Sequence, residues 1–148
     1  MSFNHLGLGE HLCHVLDGLG YIKPTDIQSQ ALPEIVAGND VLGIAQTGTG
    51  KTGAFCLPII EQLITTGNRA ERKKPWALIV APTRELVSQI VEETKKYALD
   101  SGIRCGAVVW LILMLFLVCV ESVGHCNSAQ SKQIGASCFT LHTQAKTW

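Results

Sequence analysis

The chain has 148 residues, enough for one domain of ordinary size, and is 47% apolar and 16% charged. That composition excludes an intrinsically disordered or collagen-like chain. Its formal net charge is zero, which excludes bulk attraction to nucleic acid, so any such contact must come from local groups.

The opening stretch, MSFNHLGLGEH, lacks a basic segment followed by an apolar one, so no secretory signal is expected. Leu12, Val15, Leu16 and Leu19 recur at helical spacing and stop at Gly20, the residue type that closes helices in the left-handed conformation. Thr25 is the expected N-cap of a second helix running toward Ala37 and closed by Gly38. Val41 to Ala45 is a short apolar run suited to a buried strand, and Lys51 to about Thr65 is the helix expected after it. Gly67 to Pro75 is a charged loop whose basic residues suit a solvated surface. A second strand, Trp76 to Ala81, leads through a turn into a helix ending near Leu99. Gly102 follows, and Arg104 to Val109 starts a third strand. Alternation of this kind predicts an α/β fold with a parallel sheet flanked by helices.

The pattern breaks after Val109, where only Glu121, Lys132 and Lys146 carry a charge. Ala107 to Val120 contains 14 residues without one. As a helix they would span about 21 Å against a hydrocarbon core of roughly 30 Å, too short for a comfortable membrane crossing. A buried or aggregation-prone segment is expected, and no stable membrane association. Residues 110–148 therefore form an apolar, then polar, tail with no assignable domain. The six cysteines, Cys13, Cys56, Cys105, Cys119, Cys126 and Cys138, include no C-x-x-C pair, so they are expected as reduced buried thiols in a cytoplasmic protein. His11 and His14 lie one helical turn apart without a matching ligand pair, so no metal site is expected there.

The chemistry concentrates in AQTGTGKT, Ala45 to Thr52. A triphosphate needs donors that are already in place, and backbone N–H groups at a helix N-terminus supply them. Gly48 and Gly50 let the backbone curl tightly around phosphates, with Gln46, Thr47 and Thr49 completing the loop. Lys51 can reach the β- and γ-phosphates, and the Thr52 hydroxyl can ligate Mg²⁺. The strict pattern has Gly at the first loop position, where this chain has Ala45.

Two more stretches join it: GYIKPTDIQ, Gly20 to Gln28, and PTREL, Pro82 to Leu86. With AQTGTGKT they resemble the DEAD-box family of ATP-dependent RNA helicases, particularly its bacterial members, over residues 3–109. The resemblance implies an incomplete RecA-like P-loop domain over residues 1–109, with ATP and Mg²⁺ as ligands and RNA as partner. It implies that Gln28 reads the adenine edge by paired hydrogen bonds, that Phe3 stacks on the base, that Thr25 supports the phosphate loop and that Lys23 belongs to the same adenine-side motif. On residue pattern alone, Thr25 only caps a helix and Phe3 only packs. Pro82, Thr83, Arg84 and Glu85 match the family's first RNA-contacting motif, which grips phosphates without reading sequence. Here the alternative is an ordinary helix cap with a surface arginine.

These 148 residues contain no Asp-Glu-Ala-Asp box, no Ser-Ala-Thr motif and no glycine pair after Val109, where Trp110 stands instead. Phosphoryl transfer depends on such metal-holding carboxylates and on arginines from a second domain. The chain is therefore expected to be a truncated helicase that does not turn ATP over at a helicase rate, and to fold poorly because sheet edges are left open. The alternative function is a catalytically inactive nucleotide-binding, RNA-binding or regulatory fragment. Two accounts of the break stay open: a shifted reading frame, or a genuine short product with its own tail.

Overall fold

The computed structural model describes residues 2–67, 75–109 and 116–122. The expected charged loop falls largely on residues 68–74, and the polar tail with Cys126 and Cys138 on 123–148; both lie outside the described residues.

A short 3₁₀ turn over Phe3–Leu6 precedes helices α1 (Glu10–Gly18) and α2 (Asp26–Val36). Both helices stop as their glycines require. Gly20 and Gly38 adopt φ +83° and +85°. The amides of Gly20 and Tyr21 return to the carbonyls of Asp17 and Leu16, and those of Gly38 and Asn39 to Ile35 and Glu34. Each is a Schellman closure, which satisfies carbonyls the helix would otherwise leave unpaired.

Helix α3 (Lys51–Thr66) is the apolar centre. It buries Ala54, Cys56, Leu57, Pro58, Ile60 and Leu63 against Leu12 and Leu16 of α1, Leu32 of α2 and the inner face of α4 (Arg84–Tyr97). Helix α4 is two-faced: Val87, Ile90, Thr94 and Tyr97 are buried at i, i+3, i+7, i+10 while its charged residues face outward. Leu12, Leu32 and Ile60 are 0% exposed, a burial that stabilises by about 1.5–3 kcal/mol per side chain. The buried Thr94 hydroxyl donates to the Ile90 carbonyl at 2.7 Å and meets Cys56 Sγ at 3.2 Å, and among the described residues no buried side-chain nitrogen or oxygen lacks a partner.

The sheet departs from the expected parallel arrangement in two ways. Strands β1 (Ala77–Ala81) and β2 (Ile103–Val109) run in the same direction, but they do not touch. Strand β3 (Phe116–Ser122) lies between them, antiparallel to both, pairing Ile79 with Val118 and Val118 with Ala107. The apolar run expected as one buried or aggregation-prone segment is thus shared between two strands, and part of the tail becomes the middle of the sheet. Residues 110–115 lie outside the described residues.

The second departure is the strand expected over Val41 to Ala45. Residues 39–46 form neither helix nor strand, and Leu42 and Ile44 are 89% and 86% exposed. An apolar run becomes a strand only when a neighbour takes its backbone hydrogen bonds. Here β1, β2 and β3 pair among themselves and leave it outside.

Candidate nucleotide site

The phosphate loop, residues 46–50, turns between this extended stretch and the start of α3. Gly48 and Gly50 take φ +80° and +85°, values that residues with a Cβ adopt only under strain. Around Gly48 there is open space where a side chain would project; a Cβ there would meet nothing within 4 Å. Thr49 Oγ1 donates to the Gln46 carbonyl at 2.7 Å, bracing the turn. The Lys51 ammonium donates to the carbonyls of Ala45 and Gln46, the latter at 2.9 Å. It therefore lies over the loop, within reach of any anion that enters. Thr52 follows half-buried in the first turn of α3.

Gly50 is crowded on its other side. A Cβ there would lie 2.7 Å from Gln28 Nε2 and 3.0 Å from Thr25 Oγ1. Gln28 is only 3% exposed. Its Nε2 donates to the Gly50 carbonyl at 3.0 Å, and its Oε1 accepts the Thr25 amide at 3.0 Å within a capping box that starts α2. Motif resemblance links Thr25 to the loop and Gln28 to an adenine edge; the fold places both side chains beside Gly50. The two Gln28 bonds use one N–H and one lone pair of its amide.

Other expected residues stand elsewhere. Phe3 is 4% exposed within the core cluster, so in this structure its ring packs rather than presenting a face to a base. Lys23 is exposed. Pro82, Thr83, Arg84 and Glu85 are all exposed, as an RNA-facing motif needs. Thr83 also caps α4, its Oγ1 accepting the Leu86 amide at 3.2 Å, which is the ordinary helix cap named as the alternative.

Three residues near this site had no role assigned from the sequence: Gly53, Tyr97 and Tyr21. A Cβ on Gly53 would lie 2.6 Å from Gln28 Nε2 and 3.4 Å from the Tyr97 hydroxyl. Tyr97 in turn packs edge-on against Tyr21, with ring centroids 5.8 Å apart at 65°. A glycine inside a helix signals a close approach, which could have singled out Gly53; nothing in the pattern points to the two tyrosines. Cys13, Cys56 and Cys105 form no disulfide, and burial pushes the Cys56 thiol up to about 12. No metal-holding cluster occurs among the described residues.

Residues 25–111 match the family model described as DEAD/DEAH box helicase. The chain belongs to the DEAD/DEAH box helicase family. It is 43% identical over 108 residues to the probable ATP-dependent RNA helicase DDX47 of Mus musculus, a match covering 73% of this chain and 23% of the relative. It is 44% identical over 109 residues to the ATP-dependent rRNA helicase RRP3 of Pyricularia oryzae, covering 73% and 19%. Among solved structures it is similar to the RNA helicase Prp28 of Chaetomium thermophilum bound to ADP, with TM-score 0.61 and 40% identity over 66% of this chain and 24% of that one. The fold is thus a partial RecA-like α/β unit. This chain spans about a fifth to a quarter of the length of these relatives. They are animal and fungal proteins, so the shared motifs do not single out bacterial members.

Proposed function

We propose that this chain binds ATP through Thr25, Gln28 and the loop Gln46 to Thr52, and grips an RNA backbone through Pro82 to Glu85. The observation that carries the reading is the bond from Gln28 Nε2 to the Gly50 carbonyl, which joins the adenine-side motif to the phosphate loop. The residues suit the ligand. Left-handed Gly48 and Gly50 turn the backbone beside the N-terminus of a 16-residue helix, with open space at Gly48. Lys51 supplies a positive charge over the loop, and Thr52 a hydroxyl for Mg²⁺. Bound ATP with Mg²⁺ would supply the phosphoryl group and partial neutralisation of its oxygens.

These 148 residues include neither the acidic box nor a second domain with arginines. The isolated chain is therefore proposed to bind nucleotide without turning it over, which makes the inactive binding fragment its working description. The intact reaction of the family, ATP-driven separation of RNA strands, belongs in this reading to the longer protein. Cysteines without disulfides support a cytoplasmic setting. No helix among the described residues is long and apolar enough to cross a membrane.

The test is equilibrium titration of the chain with a fluorescent ATP analogue in Mg²⁺. Binding in the micromolar to sub-millimolar range is expected, with at least tenfold loss in Lys51→Ala and no RNA-stimulated phosphate release. Equal binding by wild type and Lys51→Ala would overturn the site, and rapid RNA-stimulated turnover would overturn the inactive reading.

A further inference from the structure

The adenine-side motif is fastened at two places. Its inner end is Gln28, bonded to Gly50 and pressed against Gly53. Its outer end is Tyr21, the second residue of GYIKPTDIQ. The Tyr21 hydroxyl donates to Glu93 Oε2 at 3.4 Å, and its ring packs edge-on against Tyr97. Glu93 and Tyr97 sit near the far end of α4, the helix whose first turn carries Arg84 and Glu85. The Tyr97 hydroxyl also borders Gly53. One helix, α4, therefore holds the outer end of the motif directly and borders Gly53, the residue against which the inner end is pressed, while carrying the candidate RNA contacts at its own start.

We infer that Tyr21, Glu93 and Tyr97 form a clasp that positions Gln28 over the phosphate loop and so sets selectivity for adenine. The inference rests on the proposed nucleotide site and adds positioning residues to it. The mechanical reason is simple. With only the Gln28–Gly50 bond, the N-terminus of α2 could pivot about one point. The second fastening, 7 residues upstream of Gln28, removes that rotation, and the unspent donor and acceptor of the Gln28 amide then point in one direction. Paired hydrogen bonds to a base edge discriminate only when both are aimed together. The phosphates, held by the loop's own backbone and Lys51, do not depend on that aim. Glu93 is further braced by Lys96 Nζ at 2.7 Å, so the acceptor for Tyr21 is itself held.

The clasp is tested by measuring affinities for ATP, GTP and inorganic tripolyphosphate, all with Mg²⁺, on the full chain. The proteins compared are wild type, Tyr21→Phe, Glu93→Ala, the double variant and Tyr21→Ala, each checked for a native circular dichroism spectrum and melting transition. The ATP-to-GTP affinity ratio is expected to fall about tenfold in Tyr21→Ala and about threefold in Tyr21→Phe and in Glu93→Ala. The double variant should fall no further than either single one, because each removes the same bond. Tripolyphosphate affinity should stay within twofold throughout. An unchanged ratio in folded Tyr21→Ala or Tyr21→Phe, with wild type selective for ATP, overturns the clasp and leaves the site standing. Parallel losses for ATP, GTP and tripolyphosphate also overturn it, reducing Tyr21 to a packing residue. No ATP binding by wild type overturns the site and the clasp together.

Discussion

Two apolar runs in this chain obey the same local rule and meet different fates. Val41 to Ala45 and Ala77 to Ala81 each contain five residues without a charge, and each leads through a turn into a long helix. The second is strand β1, with Ile79 and Ala81 at 3% and 2% exposure. The first forms no regular element and leaves Leu42 and Ile44 in solvent. Hydrophobicity and length do not separate them. The difference is the neighbour: β1 finds β3 along five paired residues, and the 41–45 stretch finds no strand among the described residues. A helix satisfies its backbone within itself, whereas a strand is a property of a pair.

Removing the neighbour is the strongest way to break the contrast. A chain ended at Val109 lacks β3, so the inner edges of both β1 and β2 open at once. It should lose its cooperative thermal transition and elute in the void volume on size exclusion, because bare apolar edges template aggregation. A monomeric, cooperatively melting 109-residue product would mean that β3 is dispensable.

Matched truncations come next. Ile79→Ala removes a buried side chain and should cost about 2–5 kcal/mol in urea unfolding. Ile44→Ala removes an exposed one and should stay within about 0.5 kcal/mol. Equal costs would show that the 41–45 stretch is buried in solution.

The phosphate loop following the unpaired run is held by a side chain rather than by a sheet, and its glycines report this. Gly50→Ala combines left-handed backbone with a Cβ 2.7 Å from Gln28 Nε2 and should cost about 1–3 kcal/mol. Gly48→Ala has the same backbone but open space around it, so only about 1 kcal/mol is expected. Chemical denaturation of the two variants should rank them in that order; the reverse would refute the Gln28 contact.

The smallest effect concerns α4, the helix that follows the paired run. The hydrogen bond from Lys96 holds the Glu93 carboxyl below its usual range, against a smaller opposing effect of burial and with help from the two tyrosines. A carboxylate lowered in the folded state contributes stability above its unfolded value, near 4.3, and loses it as pH falls through the folded value. Glu93→Gln should therefore lower the unfolding free energy slightly at pH 7, by about 0.5 kcal/mol after solvent screening. Wild type and variant should converge near pH 3; a gap that persists there would exclude the charge as its cause.

These contrasts explain what could be read from residues alone. The ends of α1 and α2, the Thr25 and Thr83 caps and the loop glycines are local, set within about four residues, and the structure agrees with each. The nearness of Thr25 to the phosphate loop was legible through motif resemblance, not spacing, whereas the bond from Gln28 to Gly50 was not expected. The position of β3 was hidden because it joins segments some 40 residues apart in sequence, such as Ile79 and Val118. Tyr21 and Tyr97 were hidden for the same reason. Phe3, expected at a base, is drawn into the core because a phenyl ring gains more from burial than an exposed loop can offer it.

Gly53 carries a consequence for how such sequences can change over time. Three segments that are far apart along the chain, at Gln28, Gly53 and Tyr97, crowd a volume too small for one added methyl group. A bulkier residue at 53 would force the Gln28 amide aside or call for a shorter side chain at 28, while Tyr97 would stay at contact distance. Substitutions at 53 and 28 should therefore be inherited together.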